Sequence, residues 1–274
     1  MQPDVSLIIT TYNRPDALSL VLQSALTQSI LPKQIIVADD GSRQETADLV
    51  ADFAAASPVP LIHSWRSDDG FRAAEARNRA LAQAVCSYIV LVDGDMILHP
   101  EFIRDHLAIA RPGFWVQGSR VLLTPQATGK LLSHPLPPNY APSPFSDGII
   151  KKHAAWRCPL LYSLIARFSN QSSKAVKSCN MGFYRADAEK ANGFNNEFVG
   201  WGREDSEFTA RLYHNGIRRR NLKFGGLAYH LWHHEAERSS LARNDELLRQ
   251  TLSQKLTRCE NGLDAFSSER PPSV

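Results

Sequence analysis

No pair of cysteines in this sequence is spaced C-x-x-C, and the four present, Cys86, Cys158, Cys179 and Cys259, are too scattered to frame a disulfide scaffold. That pattern is the one expected of a reduced, cytosolic protein, with Cys86, just ahead of an apolar run, in the core. No apolar run reaches the length of a membrane-spanning helix. The opening MQPDVSLIITTYN lacks the basic start of a secretory signal. Positive charge is not in excess either: the net charge is +3 over 274 residues, which argues against nucleic acid as a partner. No G-x-G-x-x-G follows the first strand and no G-x-x-x-x-G-K-[ST] occurs, so a glycine-rich loop does not hold phosphates here. There is no G-x-S-x-G, so no serine nucleophile is evident.

What is present is regular. Hydrophobic residues make up 43% of the chain, enough for a full core in one large α/β domain or two small ones. Strands are expected at 5–10 (VSLIIT), 33–39 (KQIIVAD), 60–65 (PLIHSW) and 88–92 (YIVLV). Helical patterns lie between them, with Ser42 and Glu45 placed as a capping box ahead of a helix reaching about Ala56. This alternation implies an α/β fold with a parallel, doubly wound sheet. Further on, 99–110 reads as a helix, 114–123 as a strand, and the Pro-rich stretch 124–148 as a loop or lid. Residues 149–177 form a basic amphipathic segment carrying Lys151, Lys152, Arg157, Arg167, Lys174 and Lys177. It is expected either to pack as a solvated face or to contact an acceptor or a membrane surface. Residues 235–274 read as a polar helix with a frayed end.

Each of the first four strands ends in a polar cluster, and ligands of open α/β sheets bind beyond such ends. The clusters are Thr10, Tyr12, Asn13 and Arg14; Asp39, Asp40, Gly41 and Ser42; Asp68, Asp69, Gly70 and Phe71; and Asp93, Gly94 and Asp95. If the ligand is a nucleotide diphosphate, a charge other than a phosphate loop must hold it. The two carboxylates of Asp93-Gly94-Asp95 suit a hard divalent ion, Mg²⁺ or Mn²⁺, bridging the diphosphate oxygens. An EF-hand is excluded, because Ile97 stands where a third oxygen ligand belongs.

The ordered motifs SLIITTYNRP, VADDGS, DDGFRAAEARNRA, LVDGDM, CNMGFYR and GWGREDSEF, followed by HLWHH, resemble a family 2 glycosyltransferase of the GT-A fold over most of residues 4–234. From Asn180 on, the chain is similar to the C-terminal part of β1,4-galactosyltransferases and to bacterial chondroitin-polymerase-like enzymes. The resemblance implies a Rossmann-like, mostly parallel sheet flanked by helices, with a mixed acceptor-side part. Residues 1–234 would form the transferase domain, 1–100 being its nucleotide-binding half and 101–234 its acceptor-side half. Asp39 or Asp40 would bind uracil or ribose, and Thr10, Tyr12 and Arg14 would line the base pocket. Arg72 and Arg77 would lie near the diphosphate, with Gly94 inside the D-x-D turn. Asp95 would be the direct metal ligand and Asp93 a ribose or outer contact. In HLWHH, His230 and His233 are three apart and face one point on a turn or helix end, so either or both would complete the metal shell. Trp201, Gly202 and Asn180 would sit on the acceptor side, the tryptophan stacking on a sugar.

Acids at a helix start remain charged in the helix dipole. SEFTARLYHNG reads as that helix, ended by Gly216, with Glu204, Asp205 and Glu207 in its first turn. The glycines of GWG would let the chain turn tightly and approach the sugar. Asp205 is expected to be the general base and Glu204 to bind hydroxyls. The combined expectation is an inverting, metal-dependent transfer of a hexosyl or N-acetylhexosaminyl group from a UDP-sugar to a glycan or lipid-linked glycan acceptor. It would serve surface polysaccharide synthesis in the cytoplasm or at the inner membrane face. A nucleotidyltransferase and a non-catalytic glycan- or nucleotide-binding protein are the alternatives.

Overall fold

A strand buried along nearly its whole length needs cover on both faces, and β1 (Val5–Thr11) is such a strand. In the computed structural model, which describes residues 2–170, 176–234 and 240–269, its alternate side chains enter two different cores. Leu7 and Ile9 pack with Leu18, Val21 and Leu22 of α1 (Pro15–Leu26) on one face. Ile8 packs on the other face with Ala74, Ala80 and Leu81 of α3 (Ala73–Ala82).

β2 (Gln34–Asp39), α2 (Gln44–Ala56), β3 (Leu61–Trp65) and β4 (Tyr88–Asp93) complete the expected first half. β3, β2, β1 and β4 lie side by side in that order and all parallel. The carboxyl ends of β1, β2 and β4 therefore share one edge.

Beyond β4 come β5 (Met96–Leu98), α4 (Phe102–Ile109), β6 (Phe114–Gln117), β7 (Val121–Leu122) and α5 (Pro125–Leu132). They are followed by α6 (Pro159–Ile165), β8 (Ser169–Asn170), β9 (Asn180–Tyr184), α7 (Arg185–Ala191), α8 (Glu204–His214), β10 (Arg218–Asn221), β11 (Ala228–His230) and α9 (Leu241–Ser253). β9 joins the sheet antiparallel between β4 and β6, and β10 and β8 extend it to eight strands. The sheet is thus mixed: β3, β2, β1 and β4 run parallel, β6 and β10 pair parallel with each other, and β9 and β8 pair antiparallel. Gly182 in β9 is a packing necessity, since a Cβ there would stand 2.3 Å from the Tyr88 hydroxyl. A separate small sheet sets β11 between β5 and β7, antiparallel to the first and parallel to the second.

Four local expectations are corrected. Ser42 does not cap α2: its hydroxyl accepts the Asn13 N–H at 2.8 Å, and the helix starts after an uncapped Arg43. The strand expected over 114–123 is two strands, β6 and β7, serving different sheets. The Pro-rich stretch opens with a helix, α5, whose start is held by the Thr124 hydroxyl accepting from the Ala127 N–H. The basic segment is a 3₁₀ turn at 152–155 followed by the short helix α6, not one amphipathic helix; Lys174 lies outside the described residues. After α9, a 3₁₀ turn over 263–269 puts Leu263 and Phe266 into the core beside α3, and residues 270–274 lie outside the described range. All four cysteines are free thiols, and Cys86 is buried as expected. No helix of the described residues is long and apolar enough to cross a membrane.

Candidate active site

The edge where β1 and β4 end opens into a cleft of about 960 Å³. One wall comes from the strand ends and the other from the loop leading into α8. Thr10, Tyr12, Arg14, Asp40, Asp93 and Gly94 line the first wall. The adjacent acids of VADDGS differ in whether they line the cleft. Asp39 has no exposure and spends both oxygens on structure, accepting the Ser42 N–H at 2.8 Å and meeting His63 Nε2 at 2.8 Å. It does not line the cleft, whereas Asp40 does, with both Asp40 oxygens also accepting hydrogen bonds from the protein. Asp40 is held by Arg66 Nη1 at 2.9 Å and by the Arg72 N–H at 2.8 Å. Burial outweighs these two partners and lifts its carboxyl to about 6.

Arg72 and Arg77 part company as well. The Arg72 side chain turns away from the cleft to Asp69, 2.7 Å distant, so the expectation that it approaches a diphosphate is corrected. Arg77 is buried at the cleft floor. Its Nη1 reaches Glu204 Oε1 at 2.9 Å and its Nη2 reaches Asp93 Oδ1 at 3.5 Å, so one guanidinium ties the two walls together. Burial works against the charged guanidinium, but Glu204 and Asp93 outweigh it and raise the Arg77 pKa.

Asp95, His230 and His233 converge as a cluster whose ligand atoms all lie within 4.8 Å of one another. Asp95 Oδ2 is 3.4 Å from His230 Nε2 and 3.1 Å from His233 Nε2. Burial would raise the Asp95 carboxyl, but the hydrogen bonds from both imidazoles hold it well below the usual carboxylate range. Local structure explains the meeting. The Gly94 N–H bonds to the Thr10 carbonyl at 2.7 Å, and a Cβ on Gly94 would stand 2.9 Å from that oxygen. The β5–β11 ladder pairs His230 with Met96, the residue after Asp95. The donor set suits a divalent ion such as Mn²⁺: one carboxylate, two imidazoles, and a buried Asp95 Oδ1 that has no hydrogen-bond partner. Asp93 stays outside this cluster, its nearest charge being Arg77.

On the second wall, Gly200 and Gly202 have φ of +75° and +104°, and Arg203 follows at +78°. The tight turn expected of GWG is there, but the close approach is to the protein itself. A Cβ on Gly200 would stand 2.3 Å from Ser240 Oγ, and one on Gly202 would stand 3.3 Å from Leu241. The turn delivers Trp201, Gly202, Glu204 and Asp205 to the cleft. Asp205 accepts from the Ser206 N–H at 2.6 Å and the Ser178 N–H at 3.3 Å. Burial, together with the neighbouring charge of Glu204, raises its carboxyl to about 7 against the pull of Arg77.

One expectation on this side is corrected, and one acid of the motif proves structural. Asn180 is fully buried and is consumed by His106 Nε2, the Ser119 carbonyl and the Gly226 carbonyl, each at 2.8 Å; it braces the floor and does not meet the cleft. Glu207 points into the core, paired with Arg211 Nη2 at 2.7 Å and Thr251 Oγ1 at 3.0 Å. The reverse also occurs. Arg120 and Lys177 line the cleft without having stood out as site residues in the sequence. Burial, then the charges of Arg120 and Lys151, hold the Lys177 ammonium below its usual value. The only sequence signal was the basic character of 149–177, and Arg120 lies outside it.

Comparison with known proteins agrees with this architecture. Residues 6–124 match the model of Glycosyl transferase family 2, and residues 166–235 match that of the N-terminal domain of galactosyltransferase. The chain is 26% identical over 238 residues to a chondroitin synthase of Escherichia coli, covering 82% of this chain and 34% of that protein. It is 27% identical over 240 residues to a hyaluronan synthase of Pasteurella multocida, covering 82% of this chain and 24% of that one. The chain thus spans about a third or less of these relatives. Among solved structures, the mannosyltransferase PcManGT from Pyrobaculum calidifontis, in complex with GDP-Man and Mn²⁺, superposes with a TM-score of 0.59 at 18% identity. That match covers 98% of this chain and 70% of the other, and it shows a shared GT-A fold.

Proposed function

From a chain whose residues 6–124 belong to glycosyl transferase family 2, we propose an enzyme that moves a sugar from a UDP-sugar to a glycan hydroxyl with inversion, in polysaccharide synthesis. The observation that carries this reading is the placement of two chemistries on facing walls: the Asp95, His230 and His233 cluster on one side and Asp205 on the other. A Mn²⁺ or Mg²⁺ held by Asp95, His230 and His233 would neutralise the leaving diphosphate as a Lewis acid. The similar fold of a mannosyltransferase solved with GDP-Man and Mn²⁺ supports the use of a nucleotide sugar and a metal.

This chain's own residues account for the remaining work. Asp40, on the first wall, accepts an N–H of the base or a ribose hydroxyl, and Thr10, Tyr12 and Arg14 bound the nucleotide. Asp93 takes a ribose hydroxyl, and Arg77 fixes Asp93 and Glu204 at a common point. Trp201 offers a flat apolar face to a sugar ring, and Glu204 binds hydroxyls. Asp205 takes the proton of the attacking acceptor hydroxyl. Its carboxyl titrates near neutrality, where a base both exists deprotonated and binds a proton firmly. Attack opposite to the leaving group inverts the anomeric carbon, and no enzyme nucleophile is needed.

Asp205→Asn tests the assignment. Transfer should fall by about 10²–10⁴-fold while UDP still binds, because only proton removal is lost. A variant that transfers at the parental rate would refute the base role.

A further inference from the structure

The helix α6, PLLYSLI, is apolar on both of its faces. Tyr162 and Ala166 turn inward against Ile109, Val116 and Leu222. Leu160, Leu161 and Leu164 lie on the other side and are exposed, Leu160 by 86%. Trp156 before the helix and Phe168 after it are exposed too, Phe168 by 73%. A helix with apolar residues all round belongs in a core or in lipid, and this one has only one face in the core. Along the sequence, the charge flanking it has a single sign. Between Asp147 and Asp187 the sequence has no acidic residue and seven lysines or arginines. Arg157 spends its charge inside the protein on Asp105, 2.7 Å away, but Lys151, Lys152 and Arg167 stand exposed.

We propose that the face running from Trp156 to Phe168, with Lys151, Lys152 and Arg167 at its margins, seats the protein on an anionic lipid surface. Apolar and aromatic side chains entering the headgroup boundary, with cations beside them, are the recognised physical basis of such contact. A second copy of this chain fits the surface less well, because a two-fold pairing would set its cations against themselves. The seat also has a place relative to the cleft. Ile150, directly ahead of Lys151, lines the cleft, and its N–H is fixed to the Leu122 carbonyl at 3.0 Å. The lipid contact therefore begins at the cleft rim. It stands independently of the transfer reading, since none of its residues takes part in that chemistry.

Vesicle sedimentation tests it with the full chain. The parent should partition onto vesicles of phosphatidylglycerol mixed into phosphatidylcholine, less so at high salt, and not onto phosphatidylcholine alone. Leu160→Glu combined with Leu164→Glu should weaken partitioning by about tenfold or more, with UDP binding unchanged. Lys151→Glu combined with Lys152→Glu should weaken it without touching the helix, and decides the matter if the leucine variant does not fold. The proposal is overturned if the parent ignores both vesicles, if it binds the two equally, or if the folded variants partition as the parent does. It is equally overturned if the leucines prove necessary for self-association in the absence of lipid while lipid binding is nil.

Discussion

A carboxylate buried in a cleft wall, with another carboxylate beside it, gives up its proton late, and Asp205 is placed that way. Its folded pKa of about 7 lies above its ordinary 3.8, so between those values the folded chain holds a proton the unfolded chain has released. By linkage, this group's contribution to stability falls as pH rises through that window and levels off above about 7. Two readouts should follow the same titration. The transfer rate should rise with pH and plateau above about 7. The Asp205→Asn protein should melt higher than the parent at pH 8, with the gap narrowing toward pH 4. A melting difference that does not vary with pH would contradict the buried-carboxylate account. At this scale the sequence was a partial guide. Acids following a strand end are a local pattern, so Asp40, Asp93 and Asp95 could be placed at the cleft from letters alone. Asp39 could not be separated from Asp40, because neighbours at a strand end face opposite ways and only His63 and the Ser42 N–H decide between them. Asn180 reads as a sugar contact in its motif, but its carbonyl partners lie 61 and 46 residues away, beyond any local pattern.

Elements here are shaped as much by what they pack against as by their own propensities. The turn ahead of α8 is the clearest instance. Its glycines are legible as a turn, since positive φ is a local demand. Their second duty, making room for Ser240 and Leu241 at the start of α9, depends on a segment about forty residues on and is invisible in the motif. Gly200→Ala should therefore cost about 1–3 kcal/mol, combining an unfavourable backbone region with a forced shift of Ser240. Thermal melting would measure it, and a fall in UDP affinity is not expected, because Gly200 does not line the cleft. An unchanged melting temperature would show that the α8–α9 contact gives way freely. The parallel sheet of the first half was legible for a simpler reason: short buried runs alternating with helical patterns imply it. The insertion of β9 antiparallel beside β4 was not, since its hydrophobic pattern carries no direction.

Taken whole, the molecule gathers its three candidate metal ligands from two regions of the chain, 95 and 230–233. A ligand that binds only the folded state stabilises it by mass action, by about 2.7 kcal/mol at one hundred times its dissociation constant. Mn²⁺ should accordingly raise the melting temperature of the parent, and a chelator should reverse the gain. Asp95→Asn should abolish the response while leaving the metal-free protein folded. If that variant responds to Mn²⁺ as the parent does, the ion sits elsewhere.

The small three-stranded sheet has a consequence for how this chain can be taken apart. β11 is clamped between β5 and β7, so the cluster exists only when residues from both matched segments are hydrogen-bonded in one register. Neither segment is a portable module. Grafting residues 166–235 onto another nucleotide-binding half would preserve the histidines as letters. They would be useful there only if the recipient carried the matching edge strands. A one-residue insertion within the β5 or β11 ladder should be as damaging as deleting a ligand, because it would turn His230 to the opposite face.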